Sequence, residues 1–91
     1  MPKYQLLITV LPRPALLDPE GETIRQAIHR LGYDTVIQVR AGRAFYVEVE
    51  ASTPEEAVQQ GKALAENFLH NPVVEVYHVH PPALVISPPP L

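Results

Sequence analysis

Two helix-start signatures, each with a proline in its first turn, divide this chain and leave few folds open to it. In Asp18-Pro19-Glu20-Gly21 the aspartate can accept hydrogen bonds from free backbone amides. Its proline fixes φ for a turn or for a first helical position. Ile24, Ala27, Ile28 and Leu31 then fall on one stripe of an amphipathic helix that stops at Gly32, a residue suited to a left-handed end. In Thr53-Pro54-Glu55-Glu56 the threonine caps, the proline takes the first helical position and Glu56 completes a capping box. Ala57, Gly61, Leu64, Ala65 and Phe68 form the stripe expected to be buried, and Asn71-Pro72 ends the helix. A glycine inside such a stripe costs about 1 kcal/mol relative to alanine. Close approach of Gly61 to a strand is therefore expected.

Strand-like runs fill the spaces between. From Lys3 to Leu11, Tyr4, Leu6, Ile8 and Val10 share one face, and Gln5, Leu7, Thr9 and Leu11 share the other. Thr35–Arg40 and Phe45–Glu50 read as two strands of a hairpin around Ala41-Gly42-Arg43. Phe45, Val47 and Val49 give the second of these an apolar face, against Tyr46, Glu48 and Glu50. Val73–His80 is β-branched on both faces, as an inner or interface strand would be. The resulting order, β-α-β-β-α-β, predicts an α+β fold of the ferredoxin-like kind, with two helices on one face of a four-stranded antiparallel sheet.

At 91 residues the chain is one small domain, and with no cysteine it has no disulfide to supplement its core. Oligomerisation or a partner is the expected supplement. Five of the eleven prolines lie from Pro81 onward, so residues 1–80 are expected to fold and residues 81–91 to form a proline-rich tail. Within that tail Leu84, Val85 and Ile86 could dock on a neighbour. The sheet face opposite the helices is bare in a monomer. Leu7, Leu11, Val74 and Val76 are the residues expected to bury it by self-association, as a dimer or tetramer.

Chemistry is sparse. The formal net charge of −3 lacks the footprint of a nucleic-acid binder. Tyr46 stands among glutamates and Phe45 reads as core, which argues against base stacking on the sheet. His78 and His80 share a strand face, but a zinc site needs three or four converging ligands. Ser52 and Thr53 are better explained as caps than as nucleophiles, and Ser87 sits in the tail. Asp18, Glu20, Glu22 and His29 are explained by the helix dipole. No phosphate-binding glycine motif occurs. The sequence predicts no catalytic, cofactor-binding or metal-ligating residue. No apolar run is long enough to cross a bilayer and no secretory signal opens the chain, so a cytoplasmic location is expected.

Three segments in fixed order carry a resemblance: Leu17-Asp18-Pro19-Glu20-Gly21, Val39-Arg40-Ala41-Gly42-Arg43, and Asn71-Pro72-Val73-Val74-Glu75-Val76-Tyr77. Together they resemble the PurS family, the small subunit of phosphoribosylformylglycinamidine synthase, over roughly residues 3 to 80. Members usually have lysine where this chain has Arg43, and a lysine-containing stretch where it has Pro12-Arg13-Pro14. The resemblance implies a complex that converts formylglycinamide ribonucleotide, glutamine and ATP to formylglycinamidine ribonucleotide, glutamate, ADP and phosphate. It implies a non-catalytic bridge between the glutaminase subunit PurQ and the synthetase subunit PurL, assisting ammonia transfer. ATP and magnesium would be used by the complex. Asp18, Pro19, Gly21, Arg40, Gly42 and Arg43 are the expected partner-contact residues, against the alternative that proline and glycine serve turn geometry alone. The competing functional reading is a ferredoxin-like regulatory module that binds a small molecule. A stand-alone small enzyme ranks last.

Overall fold

The computed structural model describes residues 1–85. Its elements are β1 (Lys3–Pro12), α1 (Pro19–Arg30), β2 (Arg43–Glu50), α2 (Pro54–Leu64), a π-helical turn (Ala65–Leu69), β3 (Glu75–Val79) and β4 (Ala83–Val85). Two helices and a four-stranded antiparallel sheet make the α+β, ferredoxin-like class expected from the sequence. β1 is central. β2 lies along one edge of it, and β3 and β4 follow one another along the other.

The alternation along β1 sets the layers. Tyr4, Leu6, Ile8 and Val10 are buried, while Leu7, Thr9 and Leu11 stay half-buried on the opposite face. The register puts Val47 and Val49 beside Leu6 and Tyr4, and Val79 beside Ile8. α2 covers this face with Ala57 and Gly61, and the π-helical turn adds Ala65. A Cβ on Gly61 would stand 2.9 Å from Leu6 Cδ1 and 3.2 Å from Val79 Cγ1. The glycine is thus needed for the close helix–strand approach that its place in the stripe implied. Thr53 Oγ1 accepts from the Glu56 amide at 3.1 Å, and the Glu56 carboxylate accepts from the Ser52 amide at 3.0 Å. The cap is therefore reciprocal, displaced by one residue from the simple box.

Four local expectations are corrected. Thr35–Arg40 forms no strand, so there is no hairpin with β2. The fourth strand is instead Ala83–Val85, and its register on β1 shifts by one residue across Pro81-Pro82, which lack ladder amides. The sheet thus reaches into the proline-rich segment; Ile86 and the rest of the tail lie outside the described residues. The strand expected from Val73 begins only at Glu75, because Asn71–Val74 forms a turn in which Asn71 Oδ1 accepts from the Val73 amide at 3.0 Å. Phe68 is 80% exposed, while Leu69 packs on the core. The π-helical turn, closed by the His70 amide on the Ala65 carbonyl, inserts one residue per turn and swings Phe68 outward.

α1 begins and ends as expected, with Gly32 at φ 97° past its last turn. Its stripe, however, is not covered within the chain: Leu31 is 76% exposed and no α1 residue joins the core cluster. The Cα radius of gyration is 16.5 Å, against about 12 Å for a compact chain of this length. No helix among the described residues is long and apolar enough to cross a membrane.

Replacing Gly61 by valine is expected to destabilise the fold by about 1–3 kcal/mol through overpacking. Leu6→Ala, at a fully buried site, is expected to cost about 2–5 kcal/mol. Urea unfolding at one fixed protein concentration measures both.

Candidate functional site

The two glycine-containing loops, 22 residues apart in sequence from Asp18 to Arg40, are brought together by one carboxylate. Asp18 caps α1 by accepting from the Gly21 amide at 3.0 Å through Oδ1. Its other oxygen, Oδ2, accepts from the Ala41 amide at 2.7 Å. The cap of one element is therefore also the clamp on another. These amides, Gly21 first and Ala41 second, with the Arg40 charge nearby, hold the Asp18 carboxyl below its ordinary value.

The glycines serve this junction by close approach rather than by turn geometry. A Cβ on Gly21 would lie 2.1 Å from the Val39 carbonyl oxygen, and one on Gly42 would lie 2.1 Å from the Val10 carbonyl oxygen. Pro19 occupies the first turn of α1, where no amide is lost. Around the clamp lies a cleft of about 180 Å³ lined by Leu16, Leu17, Asp18, Glu22, Gln38, Val39 and Arg40. Glu22 is held by an ion pair with Arg25, which lowers its carboxyl pKa. Arg40 is different. Its Nη2 is buried and, among the described residues, has no hydrogen-bond acceptor. A buried donor without a partner costs free energy that an incoming acceptor restores.

Arg43 does not share that freedom. Its Nη2 contacts both Glu75 carboxylate oxygens, at 2.8 and 3.0 Å, and it lies 5.8 Å from the Phe45 ring centre. It ties the start of β2 to the start of β3. The Glu75 carboxyl is held low first by the Asn71 amide, which donates to it at 2.8 Å, and then by Arg43. Arg13 pins the same turn, donating to the Pro72 and Val73 carbonyls at 2.6 and 3.2 Å. Glu75 and Arg13, far apart in sequence, hold one turn between them, a relation that no local pattern carries.

The residues expected to self-associate are on or near the open sheet face. Leu11 and Val76 are cross-strand neighbours and Leu7 lies opposite Tyr46. Val74 is in the turn before β3 and 40% exposed. The same face carries the His78 and His80 rings, 4.4 Å apart and edge to face, with His80 Nε2 in hydrogen-bond contact with Thr9 Oγ1 at 3.2 Å. Among the described residues no three potential ligands converge on a metal position. Tyr77, behind the sheet, has its phenol pushed up by burial and by the Glu66 carboxylate.

The clamp predicts a pH response. Because the folded pKa of Asp18 is lowered, its contribution is present above the ordinary value of 3.8 and is lost as pH falls through the folded value. Carboxyl chemical shifts should titrate below 3.8 for Asp18, with the Ala41 amide shift following the same curve. Asp18→Ala should lower the urea midpoint and speed exchange at the Ala41 amide, and it should remove that acid transition.

Comparison with known proteins places these features in a family. The profile described as "PurS: Phosphoribosylformylglycinamidine (FGAM) synthase" matches residues 5–82. The phosphoribosylformylglycinamidine synthase subunit PurS of Synechocystis sp. is 40% identical over 76 residues, 81% of this chain and 74% of that protein. The structure of Thermus thermophilus PurS superposes with a TM-score of 0.80 at 32% identity, covering 96% of this chain and 100% of that one. A chain in the structure of PurLQS from Thermotoga maritima gives a TM-score of 0.79 at 38% identity, covering 88% and 98%.

Proposed function

The chain belongs to the PurS family and is a subunit of phosphoribosylformylglycinamidine synthase, and on that premise we propose that it bridges the glutaminase and synthetase subunits and assists ammonia transfer between them. The observation that carries this reading is its near full-length likeness to the chain within the Thermotoga PurLQS assembly. Formylglycinamide ribonucleotide, glutamine and ATP are the substrates of the complex in this reading, and it works in the cytoplasm. The chain contributes surfaces, and the chemistry runs on the larger subunits.

The partner surface is the clamped pair of loops, Asp18, Pro19 and Gly21 with Arg40 and Gly42. Arg40 supports this assignment, because it lines the cleft beside Asp18 and its Nη2 has no acceptor among the described residues. Arg43 acts behind that surface through Glu75. Leu7, Leu11 and Val76 support self-association through the open sheet face, with Val74 at its margin. No observation favours the small-molecule regulatory module over this reading.

Reconstitution tests the role. Glutamine-dependent synthesis should appear when the cognate glutaminase and synthetase are mixed with this chain, and neither half-reaction should occur with the chain alone. Full coupled activity without it would remove the bridging role. Arg40→Ala should leave the urea midpoint of the isolated chain in place and weaken capture by the larger subunits by about tenfold or more, the scale of one charged hydrogen bond. Leu11→Lys should reduce the mass seen in sedimentation.

A further inference from the structure

The open sheet face carries a pair of side chains that neither the core nor the partner loops account for. His78 and His80 alternate with Val79 along β3, so both imidazoles stand on the same side of the sheet. His78 is exposed and His80 half-buried. Their rings meet edge to face, with planes at 87° and centres 4.4 Å apart. Among the described residues, neither ring forms an ion pair with a carboxylate. The other two histidines are committed inside the chain: the His29 ring is hydrogen-bonded to the Val36 carbonyl, and His70 Nδ1 to the Ala65 carbonyl.

A closed zinc site needs three or four protein ligands, which the described residues do not bring together. Two imidazoles are enough for an open site whose remaining positions are filled by water. The ring separation selects the ion. With a metal–nitrogen bond of about 2.0 Å and a ring centre about 1.2 Å beyond the nitrogen, two imidazoles on one ion have centres about 4.5 Å apart at a right angle and about 5.2 Å apart at the tetrahedral angle. The observed 4.4 Å matches the right angle. Adjacent nitrogen ligands at a right angle belong to square-planar or tetragonal coordination, the preference of copper(II) and nickel(II). Magnesium, which takes oxygen ligands, does not suit this pair.

We propose that His78 and His80 form a surface site for a divalent transition ion of tetragonal preference, copper(II) or nickel(II), with Thr9 as a positioning residue. Thr9 is the cross-strand neighbour of His78, and its Oγ1 lies 3.2 Å from His80 Nε2. When Nε2–H donates to that oxygen, the His80 lone pair falls on Nδ1, and that nitrogen is the ligand. Thr9 thereby selects the tautomer and holds the ring, as partners of metal-bound histidines generally do. One chain supplies both protein ligands, so the site does not depend on the bridging role.

The test adds copper(II) to the full-length chain. Sub-stoichiometric copper(II) is expected to broaden the magnetic resonance signals of His78, His80 and Thr9 before those of His29 and His70. Titration calorimetry should give one ion per chain, and the electron paramagnetic resonance spectrum should be tetragonal with coupling to two imidazole nitrogens. Thr9→Val is expected to weaken binding by roughly tenfold, the usual cost of losing a group that orients a ligand, and Thr9→Ser to restore it. His78→Asn and His80→Asn should each cost more. The broadening map needs no variant, so equal broadening at all four histidines, or broadening centred on the N-terminal amine, would overturn the site whatever the substitutions do to folding. One ion per two chains would place half of the ligands on a second chain and overturn it. Zinc bound more tightly than copper(II) would overturn the tetragonal geometry. Unchanged affinity in a folded His78→Asn or His80→Asn chain would remove that ligand, and in Thr9→Val it would remove the positioning role.

Discussion

Leu6, Ile8 and Val10 are the largest side chains that the described residues remove wholly from water, and all three project from one face of β1. α2 reaches that face only because Gly61 has no side chain. Among the described residues β1 is also the only strand paired on both edges. So small a core gives limited stabilisation for a chain of this length. The remaining apolar surface, on α1, on the open sheet face and at Phe68, is surface that other chains can bury.

What the sequence made legible was whatever depends on neighbours along the chain. Thr53-Pro54 and Asp18-Pro19 start helices because a cap acts over three or four residues, and both caps form with the partners their spacing implies. The two faces of β1 and β2 follow from alternation alone. Even the cost of Gly61 pointed to a contact, since an unfavourable residue inside a stripe needs a compensating reason. Strand pairing is not local, and that is where the reading departed. Thr35–Arg40 has every compositional mark of a strand, but a strand exists only where it lies along an edge, and the segment, clamped at Ala41, leaves the open edge of β2. Phe68 was misplaced by a single inserted residue in a π-helical turn, which leaves no mark in periodicity.

The candidate site shows the same division. Asp18, Gly21, Arg40 and Gly42 were all singled out from the sequence, yet as two loops with no stated relation. The structure joins them through Asp18 and gives the glycines a steric reason, because each backbone runs against a carbonyl of another segment. Arg43, taken from the same motif, has its guanidinium engaged by Glu75 inside the chain. One short motif therefore contains an arginine whose partner lies within the chain and an arginine whose Nη2 has none among the described residues, and only the three-dimensional arrangement separates them.

The proline pair at Pro81-Pro82 has a consequence for the size of any assembly. A sheet with two long open margins can add neighbours on both sides and grow into a filament without end. Here the margin bearing β3 and β4 is interrupted by two residues without amides and carries a one-residue offset in register. A neighbour laid along that margin would meet no amide at Pro81 and Pro82, so any continuous ladder there is limited to the five residues of β3 or the three of β4.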